Sequence, residues 1–287
     1  MAPPILPPPA DVPLRSFTPP PIAMLTDFGT RDGYPGIMRG VILGIAPASP
    51  VVDLTHEIPP QDIASGAWVL STAWRYFPAG SIFLAVVDPG VGSARRALAL
   101  RVGGRLFVGP DNGLASLVTA QTPIEEAVVL DNPRYQLPHP SATFHGRDIF
   151  APAAAHLAAG VPLVALGSPL APQALVTIAL PAPRWEGEAL AGQVLHVDTF
   201  GNLITSFAGP LADALLSLPG VSITLGGATI SDRAATFAAG PDATPFALRD
   251  SSGHLAIAVR NGSAAAQLGV ARGAEVRAHG MSRGMAG

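Results

Sequence analysis

Four predicted strands end in acidic turns. They are Thr26-Asp27-Phe28-Gly29, Asp53-Leu54-Thr55-His56-Glu57, Val87-Asp88-Pro89-Gly90-Val91-Gly92 and Gly109-Pro110-Asp111-Asn112-Gly113. Turn chemistry accounts for any one of them, since Asp, Asn, Gly and Pro are what tight turns demand. Four at the carboxyl ends of predicted strands point to a site, because open α/β sheets bind ligands along that edge. None is a phosphate cradle, as neither a GxGxxG nor a Walker pattern occurs. Asp27, His56, Asp88, His145 and Asp148 are types that ligate metals, but no HExxH, paired-His or EF-hand spacing organises them. His145 lies in Thr143-Phe144-His145-Gly146-Arg147-Asp148, ahead of a predicted helix that Asp148 is placed to cap. That cap leaves His145 unexplained. Further on, Asp198-Thr199-Phe200-Gly201-Asn202-Leu203-Ile204-Thr205 joins two predicted strands, and it reads equally well as a plain hairpin with a left-handed Gly or as part of a site.

The elements that must position these residues follow from periodicity. IAMLT (22–26), VVDLT (51–55) and SIFLAVV (81–87) are predicted strands, with more at ALALRV, RLFVG and AVVLD. Between them, Ile37, Val41 and Ile45 at fourfold spacing predict a helix that stops at Pro47. Ile63, Ala67, Leu70 and Trp74 predict a second helix, and APAAAHLAAG a third that closes this half at Gly160. Alternating strands and helices predict an α/β sheet domain over residues 22–172, with a linker inside the Pro-rich stretch that follows Gly160. EALAGQVLHVDTFG, SITLGGATI, TPFALR and HLAIAVR are then short strands between Gly, Pro and Asp turns. They predict a smaller all-β, barrel-like domain over 173–287 with little helix. Residues 1–21 form a proline-rich arm, read as extended or disordered. Pro7, Pro8 and Pro9 break any secretory apolar core, so a cytoplasmic location is expected.

Composition excludes whole classes of chemistry. The 287 residues include no cysteine, which removes disulfides, thiolate nucleophiles and zinc–thiolate sites. All 17 basic residues are Arg, so Schiff-base lysines and a Walker lysine are absent too. A net charge of −3, a pI near 6.1 and no basic run argue against nucleic acid as partner. No run of about 18 apolar residues predicts a membrane span. Charged residues are only 13% and mean hydropathy is +0.38, which together suggest apolar surface buried between subunits.

Taken in order, TDFGTRDGYPGIMRG, DLTHEIPPQDI, FPAGSIFLAVVDPGVGSARR, VGPDNG, FHGRDIFAPAAAHLA, VDTFGNLIT and SGHLAIAVRNGSAA resemble the adenosine-forming S-adenosyl-L-methionine hydrolases. These are also called hydroxide adenosyltransferases and are relatives of the fluorinase and chlorinase enzymes. The resemblance runs from about Ile22 to Ala278. It implies an α/β domain followed by a β-barrel, and a homotrimer whose sites lie between one subunit's first domain and its neighbour's second. It implies in-line attack of water at the 5′ carbon of the small-molecule substrate, with methionine leaving as a neutral thioether and no metal or other cofactor.

Carried over by position, the resemblance makes Asp27 the acceptor for the two ribose hydroxyls. It makes Asp32, Asn202 and Ser251 holders of the methionine and adenine ends, and it puts Ser252 where the family carries an Arg that grips the methionine carboxylate. Asp88, Arg95 and His145 match the trio that separates the hydrolases from the halogenases. A carboxylate beside a permanent cation is a weak proton acceptor, so orienting water is the role expected of Asp88. Arg95 is expected to stabilise hydroxide character, and His145 to take or relay the proton. The rival readings are a halogenase, a non-catalytic adenosylmethionine or nucleoside binder, and a metal-dependent hydrolase.

Overall fold

The computed structural model describes residues 19–282, and the expectation for the proline-rich arm falls almost wholly outside them. Packing divides the chain into two compact units, one ending at Ala179 and the other starting at Leu180.

In the first unit, β1 (Ile22–Thr26), β2 (Val51–Thr55), β3 (Ile82–Val86), β4 (Ala97–Val102), β5 (Arg105–Pro110) and β6 (Ile124–Val129) form one sheet in the order β2-β1-β3-β5-β4-β6. β2, β1, β3 and β5 run parallel, while β4 is antiparallel to both of its neighbours. Every residue of β1 and β3 is buried, as expected of continuous apolar runs inside a parallel sheet covered on both faces. The α helices of this unit are α1 (Tyr34–Ile45), α2 (Ile63–Trp74), the short α3 (Ser116–Thr119) and α4 (Ala151–Ala158). α2 presents Ala67, Leu70 and Trp74 to the core as predicted, and Asp62 caps it by accepting a bond from the Ser65 amide.

The stripe assigned to α1 needs correction: Met38 and Ile42 are its buried apolar residues, and Ile37 stands exposed. α1 is apolar almost all round, so spacing offered more than one face. Packing against α4 and the sheet selected the face of Met38 and Ile42. Asp148 does not cap α4 either. A wide π turn over Gly146–Phe150 precedes that helix, and no side chain caps it.

The second unit comprises β7 (Arg184–Glu186), β8 (Ala189–Val197), β9 (Leu203–Ala208), α5 (Gly209–Ser217), β10 (Ser222–Leu225), β11 (Ala228–Ile230), β12 (Pro245–Arg249), β13 (His254–Val259), α6 (Ala264–Leu268) and β14 (Glu275–His279). Its antiparallel sheet has the order β11-β10-β14-β8-β9-β13-β12, with β7 paired to β8. The chain after β11 then returns to the far edge, where Asp232 O accepts from Ala247 N and Ala234 N donates to Ala247 O. The sheet is thereby nearly closed, the barrel-like form expected. α5 was not expected in this half, yet its apolar side packs Ala212 and Leu215 into the barrel core.

The first unit runs a few residues past the predicted boundary at 172/173. Asp111 Oδ1 accepts from Val176 N at 2.9 Å, Ser116 Oγ accepts from Ile178 N at 2.9 Å, and Arg96 donates to Ala174 O. These long-range bonds strap an aperiodic segment onto the sheet, and periodicity carries no trace of them.

Candidate active site

Parallel strands deliver their carboxyl ends to one edge, so the acidic turns meet there. Thr26 of β1 pairs with Val86 of β3. Asp27 and Asp88 therefore leave the same sheet edge from adjacent strands.

Asp88 and Arg95 face each other across a tight loop. Arg95 Nε lies 2.9 and 3.0 Å from the two Asp88 oxygens, and its Nη2 lies 2.5 Å from Oδ2. The pair is almost fully enclosed, with side chains 10% and 5% exposed. The Arg95 guanidinium also sits 5.2 Å over the Phe150 ring. The loop is held by Ser93, whose hydroxyl donates to Gly90 O at 2.6 Å and accepts from the Arg95 amide at 3.2 Å.

His145 completes the group. Its Nδ1 lies 2.7 Å from Arg95 Nη2. Arginine only donates, so Nδ1 must accept, and the proton of the neutral ring is on Nε2. Burial, and then the charge of Arg95, push the His145 pKa down, against the opposing pull of Asp88 and Asp148. The resting ring is therefore a neutral donor at Nε2. The expected role as proton acceptor conflicts with this arrangement, because Nδ1 is already occupied by Arg95.

Two devices bring His145 to the loop. Gly92 has φ +77°, and a Cβ there would lie 2.4 Å from Ala142 O, so only glycine permits this approach. Asp148 accepts from the Ser141 amide at 2.8 Å and pairs with Arg147 at 2.6 Å, which closes the segment that carries His145. Burial works against the Asp148 carboxylate, but the bonds from Arg147 and Ser141 outweigh it and hold the pKa below the ordinary range. Asp148 is thus a brace for His145 rather than a helix cap.

Asp27 Oδ2 accepts from the Gln61 amide at 2.7 Å, which fixes the half-buried carboxylate. Asp32 stands exposed on the turn before α1. Phe28, Tyr34 and Phe144 form an edge-to-face cluster with centroids 5.1–5.9 Å apart, tying the Asp27 turn to α1 and to the His145 segment. Sequence reasoning missed this cluster; the signal was an aromatic residue inside each of three polar motifs. The fourth acidic turn is a support. Asp111 pairs with Arg96, and Asn112 donates to Val87 O at 2.8 Å, next to Asp88. His56 is buried behind Thr26, with Nδ1 2.8 Å from Thr26 Oγ1. Among the described residues, no three His, Asp or Glu side chains gather as a metal site, so the ligand set considered for a metal is not assembled.

One family model, for the N-terminal domain of the S-adenosyl-L-methionine (SAM) hydroxide adenosyltransferases, matches residues 22–167, and one for their C-terminal domain matches residues 192–277. The chain belongs to the SAM hydroxide adenosyltransferase family. It is 42% identical to a protein of Salinispora arenicola named (R)-S-adenosyl-L-methionine hydrolase, over 89% of this chain and 96% of that protein. A Thermus thermophilus protein of the same name is also 42% identical, over 90% and 98%. A fluorinase of an Actinoplanes species is 31% identical over only 64% of the chain and 70% of that enzyme. Among solved structures, an uncharacterized conserved protein from Thermotoga maritima superimposes with a TM-score of 0.83 at 35% identity, covering 90% of this chain and 99% of that one.

The second unit of this hydroxide adenosyltransferase homologue carries the remaining sequence-derived residues. Asn202 and Ser251 line one cleft of about 860 Å³. The hairpin lines this cleft through Asp198, Phe200 and Asn202. Gly201 has φ +81°, and Asp198 accepts from the amides of Phe200 and Asn202 and from Asn202 Nδ2 at 2.8–3.0 Å. Ser252 turns away: its hydroxyl donates to both oxygens of Asp250 at 2.8 and 2.7 Å. Phe200 and Phe237 line the same cleft at 77% and 50% exposure. Apolar rings left in water at the rim of a cleft are what a flat ligand needs, and the sequence marked neither as functional.

Proposed function

We propose that this chain hydrolyses (R)-S-adenosyl-L-methionine to adenosine and L-methionine. The observation that carries the reading is the enclosed Asp88–Arg95–His145 group, which has more hydrogen-bonding capacity than its internal bonds use. Oδ1 of Asp88 keeps a lone pair beyond the one given to Arg95, and His145 offers Nε2–H. A water accepting from Nε2 and donating to Asp88 is oriented with a lone pair directed outward. Its oxygen attacks the 5′ carbon as the C5′–S bond breaks, the bond pair going to sulfur to give neutral methionine. The proton lost by the water passes through the hydrogen bond to Asp88 and on to solvent. Arg95 stabilises the developing hydroxide, a form of electrostatic preorganisation that acts most strongly in a dry site. No cofactor enters this reaction, because the sulfonium is already a good leaving group.

Asp27, its Oδ2 held by the Gln61 amide, takes the ribose hydroxyls. Asp32, Asn202 and Ser251 hold the methionine and adenine ends, and Phe200 and Phe237 offer faces for the base. A halogenase reading is weaker, since the anionic Asp88 would repel a halide at the point of attack. A purely binding role would not require an enclosed ion pair beside the reacting atom. The proposal includes assembly as a homotrimer with sites completed across protomers, supported by Tyr34, Ile37, Leu43 and Val52, large apolar residues exposed on α1 and edge strand β2. It also includes a cytoplasmic location. Among the described residues, no helix is long and apolar enough to cross a membrane.

The test is reaction in ¹⁸O-labelled water with each sulfonium epimer separately. Label on the 5′ oxygen of adenosine, with the R epimer consumed faster, is the expected result. Release of free adenine, unlabelled adenosine, or a preference for the S epimer would refute the reading.

A further inference from the structure

We infer that Arg249 is the residue that recognises the α-carboxylate of the amino-acid end of the substrate. This rests on the adenosylmethionine reading, whose only formal anion is that carboxylate. The cleft of the second unit contains two cations, Arg249 and Arg260, and two carboxylates, Asp198 and Asp250.

Three of these four charges are already satisfied within the fold. Asp198 accepts three bonds within its own hairpin. Asp250 accepts from the Ser252 amide and hydroxyl and from the His254 amide at 2.7–3.0 Å. Arg260 is locked in place, with Nε on Asp242 at 2.6 Å, Nη2 on the same carboxylate and Nη1 on Ala238 O at 3.2 Å. Hydrogen bonding to Asp242 is the main influence holding its pKa above the ordinary value. Its Nε–Nη2 edge, the edge that pairs with a planar carboxylate, is thus already taken by Asp242.

Arg249 differs. Among the described residues, only its Nη1 is engaged, with Asp213. Both side chains of that pair are exposed, at 43% and 53%, and exposed pairs of this kind contribute little and exchange readily. Nε and Nη2 remain for an incoming group, and guanidinium suits a planar carboxylate through two parallel bonds. The position is also right. Arg249 closes β12 immediately before the turn that carries Ser251, and a Cβ built on Gly253 of that turn would lie 3.5 Å from Arg249 Nη2. The fork therefore runs along the turn that holds one of the assigned substrate contacts. Ser252 is drawn onto Asp250 and makes no bond to Arg249.

The deciding comparison uses adenosylmethionine and its decarboxylated analogue, in which hydrogen replaces the carboxylate. Wild-type protein should favour the carboxylate-bearing compound by about 10–10²-fold in kcat/KM, the scale of a charge-assisted hydrogen-bonded contact, and mainly through KM. Arg249→Met should reduce that preference to near unity, Arg249→Lys should keep part of it, and Arg260→Met should preserve it. Calorimetric binding of the two compounds to each variant gives the same ratio without turnover. An absence of hydrolysis would thus count against the hydrolase reading alone. A wild-type preference retained by Arg249→Met, a wild-type protein indifferent to the carboxylate, or a preference lost on changing Arg260 instead would overturn the assignment.

Discussion

Two Arg–Asp pairs show how differently the two units use the same chemistry. Arg95–Asp88 in the first unit is almost sealed, while Arg249–Asp213 in the second is about half exposed. A sealed pair has lost its hydration and persists because extra hydrogen bonding compensates: His145 Nδ1 accepts from the Arg95 guanidinium. Its geometry is fixed before any substrate arrives, as transition-state stabilisation requires. An exposed pair contributes about 0–1 kcal/mol and exchanges partners readily, which suits ground-state recognition. Burial rather than residue type thus separates the pair proposed for chemistry from the pair proposed to yield a donor to the carboxylate.

The largest expected effect comes from breaking the sealed pair. Arg95→Ala leaves Asp88 enclosed without its partner and should lower unfolding free energy by about 3–5 kcal/mol. It should also lower kcat by about 10²–10⁴. Asp213→Ala should alter stability by no more than about 1 kcal/mol. Urea denaturation and steady-state rates on both variants test the contrast, and similar penalties for the two would erase it.

Next comes the loop contact that assembles the sealed group. Gly92→Ala forces an L residue into a left-handed conformation, costing about 1–2 kcal/mol, and drives its Cβ into Ala142 O. Displacement of the His145 segment should lower kcat with little change in KM. A variant with wild-type kcat would show that this contact does not position the trio.

In the second unit, Phe200→Ala should weaken binding by about 1–2 kcal/mol if the ring stacks on adenine, and it should raise KM while sparing kcat. A fall in kcat at unchanged KM would turn the comparison against us, by placing chemistry in the second unit.

The smallest effect is a pH slope. Burial and Arg95 hold the His145 pKa below its ordinary value of about 6.5, so the unfolded chain takes up a proton there before the folded chain does. Protons then favour unfolding, and this contribution to stability is complete above about pH 7 and declines as pH falls through about 6.5. Urea midpoints at pH 5.5 and 7.5 should converge in His145→Gln relative to wild type. Equal declines in both proteins would exclude His145 as a source of the slope.

Much of the fold was legible because its signals are local. β1 coincides with the run IAMLT and β3 lies within SIFLAVV, and α2 buries Ala67, Leu70 and Trp74 as its spacing announced, since a buried strand or an amphipathic helix writes its environment into consecutive residues. α1 was legible as a helix but not in orientation, because apolar residues nearly surround it. α5 was hidden among short strands, and its burial depends on a barrel core assembled from distant segments.

For the site, the sequence by itself determined which residue types were available: an all-arginine, cysteine-free chain with its acids collected in turns after strands, in an order shared with one family. Those facts are local and additive, so they survive without coordinates. Only the tertiary structure decided how each charge is used. It gave Nδ1 of His145 to Arg95, turned Asp148 from a cap into a brace, and drew Ser252 onto Asp250. It also left Arg249 with donors to offer. Hydrogen bonds between residues tens of positions apart depend on distance and direction in space, and burial sets their strength. Neither quantity is a property of any segment of the chain taken alone.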